Sequence, residues 1–419
     1  MTYRIWLGAD SRNRDLLPMV AIKRAIEKRL PDSLVLAGSY DIWSDIVHSF
    51  RPSLVVLSHV FGRRNRQLIA DHIRRNNGLV VVLPTEGRPT TEASWKWSTS
   101  LFDSALVDLY LAWSDKFAHS LLENYPTMNV KVVGFPRSEL EWGLDEPEFI
   151  RETLGIKDEF AVTVASSFPS AKFATSATAF HKNDWEDLGL TKLPEFQDPV
   201  GIAKKEAEAQ SEFKQMLLAY MLRHPEYQYV IRPHPAEDVR YWQDFAQSMP
   251  EFKIVLSLDG PINNLFRISN LHISRVGCTT QMEAILAGVS TLVFVTSKDE
   301  WQAGAMRASV DLSDTFGYND VLAGDRFLTP TYAENPLAVV EEWLGPLTGA
   351  VDRISNAIVE LLEERKPEVQ APNYTEWMTL HQAITKHDQE RTSPITDIYG
   401  QTGKAVTRSL VYEAESRLP

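Results

Sequence analysis

Short apolar runs recur along this chain with helix-like stretches between them, and that alternation restricts the fold more than any other feature. In the first half the runs fall at 3–9, 34–37, 54–58, 79–83, 109–113 and 130–133. In the second they fall at 160–165, 229–231, 253–256, 271–274 and 291–295. Runs this short, rich in Val, Ile and Leu, read as strands buried on both faces. Amphipathic stretches near 16–30, 202–222 and 239–247 supply the crossovers that parallel strands require. The predicted fold class is therefore α/β, with doubly wound parallel sheets.

A chain of 419 residues is too long for one ordinary core, so the strands divide between two domains. We expect a first domain at 1–140 and a linker at 141–159, where Pro, Gly and acidic residues concentrate. A second domain follows at 160–345, then helices packing on the body at 346–389 and a loosely held tail at 390–419. The polar stretch from about 169 to 199 is too long for a simple connection and reads as a loop over the site.

The net charge of −13 argues against a general nucleic-acid binder, which carries a basic surplus. It leaves room for an anionic ligand, since a local cationic cluster decides that. With one cysteine, Cys278, no intrachain disulfide can form, and a reducing cytoplasm is the natural setting. Neither a signal peptide nor an apolar run of membrane-spanning length is visible. The expected location is cytoplasmic, with any membrane contact peripheral and on the inner face. Arg63, Arg64, Arg66, Arg74 and Arg75 sit in one helical stretch. Such a run is ordinarily a solvated face; its alternative use is a patch for acidic lipid, at about 1 kcal/mol per basic residue.

The chemistry concentrates between 229 and 283. After the apolar run at 229–231 come Arg232, Pro233, His234 and Pro235; after the run at 271–274 come Gly277, Cys278, Thr279 and Thr280, leading into a helix. Ligands of open α/β sheets bind outside the carboxyl ends of the strands. A helix starting at Thr279 or Thr280 turns its N–H groups and positive dipole end toward an anion there. Arg232 and His234 add donors from what we take to be a neighbouring strand end, and the flanking prolines stiffen the backbone around His234. Singly, these residues are loop caps and a helix N-cap. Together, with Glu283 one turn along the helix, they read as the phosphate-binding half of a nucleotide site. Cys278 reads as a small packing residue, because no activating partner lies near it in sequence.

Other strand ends carry polar residues too. Glu86 is followed by Gly87, so its carboxylate either faces a cleft or caps a turn. Arg14 and Asp15 follow the first strand as a substrate contact or a helix-start charge pair. No dense Asp/His cluster has metal-ligand spacing, so no metal is expected.

These landmarks resemble the bacterial surface-carbohydrate glycosyltransferases of lipopolysaccharide, O-antigen and capsule biosynthesis. They are SRNRDLL at 11–17, TEG at 85–87, LAWSD at 111–115, VVGFPRSE at 132–139, ASSF at 165–168, VIRPHPAEDVRYW at 230–242 and SRVGCTTQMEAILAG at 274–288. The His-Pro pair and the Thr-Thr followed by Glu are similar to the nucleotide motifs of transferases that use CMP-activated acidic sugars such as Kdo and sialic acid. Relatives using CDP-linked alcohols keep a similar outline. The chain departs from the pattern at Thr85, Phe135 and Ser167-Phe168.

The resemblance implies a GT-B architecture, two Rossmann-like domains facing a cleft, with the acceptor in the first and the nucleotide in the second. It implies His234 on the donor phosphate, with Arg232, Pro235, Gly277, Cys278, Thr279 and Thr280 around it and Glu283 near the ribose. Glu86 is then general base toward the acceptor hydroxyl; in a retaining enzyme, Glu86, Asp184 or Asp187 is a candidate nucleophile. Arg14, Asp15, Arg137, Ser166 and Ser167 are substrate contacts. The expected partners are a CMP-activated sugar as co-substrate and a saccharide or lipid-linked saccharide acceptor, with no resident cofactor. Alternatives of other classes are a transferase using another nucleotide donor, a nucleotide-sugar epimerase and a non-catalytic nucleotide-binding module.

Overall fold

A computed structural model describes residues 3–60, 63–85, 104–143, 145–157, 160–174, 186, 190–192, 194–299, 313–324, 332, 334–369, 372–391, 407, 411–412 and 415–416. The chain forms two compact units, one drawn from Met1–Glu86, Thr99–Gly143 and Glu341–Pro419, the other from Leu144–Val340.

The first unit is built on strands β1 (Arg4–Ala9), β2 (Leu34–Ser39), β3 (Leu54–Leu57), β4 (Leu79–Val82), β5 (Leu109–Ala112) and β6 (Val130–Val132). They lie in the order β2-β1-β3-β4-β5-β6, and every pairing is parallel. β3, β4 and β5 are buried at every position, which is why they read as unbroken apolar runs. One face is covered by the helix Leu17–Arg29, and the helix Ala350–Arg365 packs beside it. Ile22 and Ile26 share a core with Ile354, Ile358, Leu361 and Leu362.

The C-terminal segment is thus part of the first unit. Its anchor is Gly345, at φ +77°, whose close approach to the backbone carbonyl of Trp113 leaves no room for a Cβ. The stretch expected to be a loose tail also makes contacts where it is described. Val411 packs against the first core, and Glu415 pairs with Lys23 at 2.8 Å.

The second unit is built on β7 (Ala161–Ala165), β8 (Gln228–Arg232), β9 (Lys253–Leu256), β10 (Leu271–Arg275), β11 (Ser290–Val295) and β12 (Thr315–Gly317). Their order is β12-β11-β10-β7-β8-β9, and these pairings are also all parallel. Phe213, Met216 and Leu217 of the long helix Pro199–Arg223 fill the core with Trp242, Phe168 and Phe294.

Two expectations need correction. The stretch taken as a linker holds the helix Pro147–Leu154, with Pro at its start and Gly155 in the left-handed conformation at its end. Its Ile150 packs with Ala161, Val230 and Leu265, so it belongs to the second unit. The second correction concerns β8 and β10, which are not neighbours. The unit starts with β7 at the centre of its sheet, winds outward through β8 and β9, then returns to place β10 on β7's other side. At about 4.8 Å per strand, β8 and β10 stand roughly 10 Å apart, with the end of β7 between them.

Candidate functional site

In a doubly wound sheet the chain leaves two adjacent central strands in opposite directions, and ligands bind at that divergence. In the second unit it lies between β7 and β10. The residues beyond it are Ser166, Ser167 and Phe168 after β7, and Val276, Gly277 and Cys278 after β10.

One buried carboxylate organises the β7 and β8 ends. Glu237, 2% exposed, accepts the Ser166 hydroxyl on both oxygens at 2.9 Å. It also accepts the Phe168 N–H at 2.9 Å, the Trp242 indole N–H at 2.7 Å and the Gln210 amide at 3.3 Å. The His234 N–H donates to Glu237 Oε1 at 3.2 Å. Burial pushes the Glu237 carboxyl up, and the Trp242, Phe168, Ser166 and His234 donors pull it back toward ionisation. Sequence reasoning missed this residue. Its signal was spacing: a glutamate three residues after His234, where a side chain can return to the histidine's own N–H and close the turn.

That turn aims the imidazole. Glu237 N donates to His234 O at 2.9 Å, and Ala236 N donates to His234 Nδ1 at 3.1 Å. An accepting Nδ1 leaves the proton of the neutral ring on Nε2. The half-buried ring therefore presents a donor on its far side.

Arg232 is used otherwise than expected. Its guanidinium donates to the carbonyls of Ser257 at 3.1 Å and Asp259 at 2.8 Å, and to that of Gly260. In this structure it braces the loop after β9, because a strand-end arginine 8% exposed finds carbonyls closer than solvent.

Beyond β10, Gly277 at φ +79° makes the turn into the helix Thr280–Leu286. The Thr280 hydroxyl donates to the Cys278 sulfur at 3.0 Å, and His272 Nε2 lies 3.0 Å from the same hydroxyl. With that hydroxyl's proton on sulfur, the imidazole is its donor. Burial keeps His272 neutral, pushing its pKa down to about 3. Desolvation pushes the Cys278 thiol up, the opposite of what a nucleophile needs. Thr279 stands at the N-cap with no side-chain cap bond, Glu283 is buried at 2% exposure, and Pro235 is half-buried.

A second buried charge grips the same β7 turn from the other side. Arg275 donates to Ser167 O at 2.6 Å and lies over the Phe168 ring at 4.3 Å. It pairs with Glu206 at 2.8 Å and Asp299 at 2.5 Å. Burial works against its charge, but the two carboxylates outweigh that and its pKa is raised.

In the first unit, Asp15 is fully buried and accepts the N–H groups of Asp10 and Ser11 at 2.9 Å each. Arg14 lies against it at 2.6 Å. This pair therefore shapes the turn after β1, as the charge-pair reading had it. Arg137 lies over the Phe135 ring at 4.7 Å. Glu86, Asp184 and Asp187 lie outside the described residues. Of the basic helix, Arg66, Arg74 and Arg75 are exposed, with Arg74 paired to Asp71 at 2.7 Å. Among the described residues no helix is long and apolar enough to cross a membrane.

No protein-family model matches the chain, and no curated protein does. Solved structures do. A Staphylococcus aureus MnaA–UDP complex is 13% identical with a TM-score of 0.54, over 89% of this chain and 100% of that one. A UDP-N-acetylglucosamine 2-epimerase is 10% identical with a TM-score of 0.49, over 89% and 100%. A glycosyltransferase from Rickettsia africae is 12% identical with a TM-score of 0.40, over 93% and 98%. The fold is GT-B in type, with two Rossmann-like units each built on a parallel six-stranded sheet.

Proposed function

We propose that this chain is a nucleotide-sugar-dependent glycosyltransferase that binds its donor at the carboxyl edge of the second unit's sheet. The observation that carries the reading is the 234–237 turn. It presents His234 beside the strand divergence with Nδ1 accepting from Ala236, so the other ring nitrogen is the donor. A donor held there suits a departing phosphate, whose charge grows as the sugar–oxygen bond breaks. The Gly277–Thr280 turn supplies a further donor in the Thr279 hydroxyl, the Thr280 proton being held by the Cys278 sulfur, and Glu283 the ribose contact. Glu86 serves as general base toward the acceptor hydroxyl. Protein donors neutralise the monophosphate, so the reading calls for no metal.

The donor we propose is a CMP-activated acidic sugar of the Kdo type, passed to a saccharide of a cell-surface polysaccharide. The support is the resemblance of the His-Pro and Thr-Thr-x-x-Glu motifs. Working beside a lipid-linked acceptor fits the exposed arginines of the helix Arg63–Asn76.

The test is a thermal-shift panel of CMP, CDP, UDP and GDP. Ligand that binds only the native state stabilises it by about 2.7 kcal/mol at a hundredfold excess over Kd. Selective stabilisation by CMP is expected. Selective stabilisation by UDP replaces the donor class, and no response to any nucleotide ends the reading. Incubating donor without acceptor separates the transferase from an epimerase, which returns an epimer in place of released nucleotide.

A further inference from the structure

We propose that Glu237 is a positioning residue for His234, tying the imidazole to the β7 turn so that strand ends on either side of β7 act as one rigid edge. The inference rests on the proposed use of His234, but the geometry behind it does not. Glu237 holds three separate pieces of the unit at once: Ser166 and Phe168 after β7, Gln210 on the long helix, and His234 with Trp242 on its own side. Arg275 takes the intervening Ser167 carbonyl from β10's end. Three consecutive residues at the divergence are thus pinned by two buried groups of opposite charge.

An acceptor-only carboxylate is what these partners require, because the Phe168 and His234 N–H groups on one oxygen and the Trp242 N–H on the other can only donate. A glutamine in its place turns its NH2 toward either the Phe168 and His234 N–H groups or the Trp242 N–H, and the turn must open to avoid that clash. His234 N is then released, the Ala236–Nδ1 bond loses its frame, and the ring's single tautomer is lost. The side chain's volume is nearly unchanged, so the effect isolates charge and hydrogen bonding from packing.

The experiment is nitrogen-15 NMR of the His234 ring in the ligand-free, full-length protein, wild type against Glu237→Gln. In the wild type the two ring nitrogens resonate far apart, as one tautomer with the proton on Nε2. In the variant they are expected to move toward each other while the amide spectrum of the first unit stays put. A folded variant whose His234 signals match wild type overturns the proposal. Should Glu237→Gln not fold, Trp242→Phe keeps the aromatic ring and removes one donor. The same movement, smaller, is then expected, and its absence overturns the proposal equally.

With the donor identified, Glu237→Gln is expected to lower kcat roughly tenfold or more with the donor KM held. A merely structural role would lower the amount of active protein and leave the ring signals of the folded fraction alone. Because the ring is read without ligand, a protein that binds no nucleotide retires the proposed function and leaves this test standing.

Discussion

Arg275 and Glu206 meet at 2.8 Å with both side chains less than 5% exposed, and Asp299 closes the other side of the guanidinium at 2.5 Å. Two buried carboxylates out of water are tolerable only while the cation between them is present. They draw together the long helix, β10 and the turn after β11, behind the turn that carries Ser166 and Ser167.

Arg275→Met should therefore lower stability by about 3–5 kcal/mol, since it strands two buried carboxylates. Urea unfolding at neutral pH reads this directly. Glu206→Gln should cost less, because Asp299 still balances the arginine. A loss under about 1 kcal/mol for Arg275→Met would mean water reaches the triad.

His234→Ala should reduce donor turnover by at least about a hundredfold while the melting temperature stays close to wild type. The ring is half-buried and its Nδ1 accepts from Ala236, two residues away, so the fold is expected to survive its loss. Glu86→Gln should show a comparable loss of turnover with nucleotide affinity kept. Unchanged turnover in His234→Ala removes the leaving-group role.

His272 gives a pH signature. Its folded pKa is pushed down to about 3 by burial, against an ordinary 6.5. The native state therefore prefers the neutral ring, and the unfolded state binds the proton first. The contribution is present above pH 6.5 and is lost as pH falls through the interval toward 3, at about 1.4 kcal/mol per pH unit. His272→Gln keeps a donor for Thr280 and removes the titration. Its stability should fall less than wild type's between pH 6.5 and 4, measured by denaturant melts. Parallel curves would show that acid acts elsewhere.

Gly345→Ala should be among the most damaging single-methyl changes in the chain. A Cβ there would overlap the Trp113 carbonyl at a residue with φ +77°. The same Trp113 donates to Pro84 O at 2.8 Å, tying β5's end to β4's. We expect a loss of at least about 2 kcal/mol in equilibrium unfolding. Near-wild-type stability would mean that the segment after 341 is held by its helices alone.

Strand positions were legible because strands buried on both faces write themselves as apolar runs. Eleven such runs were expected, and each contains or overlaps an observed strand. The edge strand β12 was not, since its Thr-Phe-Gly is half-buried and carries little pattern. The α/β class and the start of the helix at Thr280 follow from local rules of the same kind. Which residues would meet at the site was legible only in part. His234 and the Gly277–Thr280 turn sit at the carboxyl edge as expected. The partners of Arg232 and Asp15, and the whole role of Glu237, depend on what lies across from them.

What the chain's own pattern determined is therefore periodic and local: burial on both faces of a strand, a proline before a helix, a histidine set between two prolines. Tertiary structure alone decided adjacency. Sheet order follows from how crossover helices pack, and that placed β7 between β8 and β10 and returned the C-terminal helices to the first unit. A carboxylate's partners are chosen by such long-range pairing, with 71 residues separating Ser166 from Glu237. No periodicity in the sequence records a contact of that span.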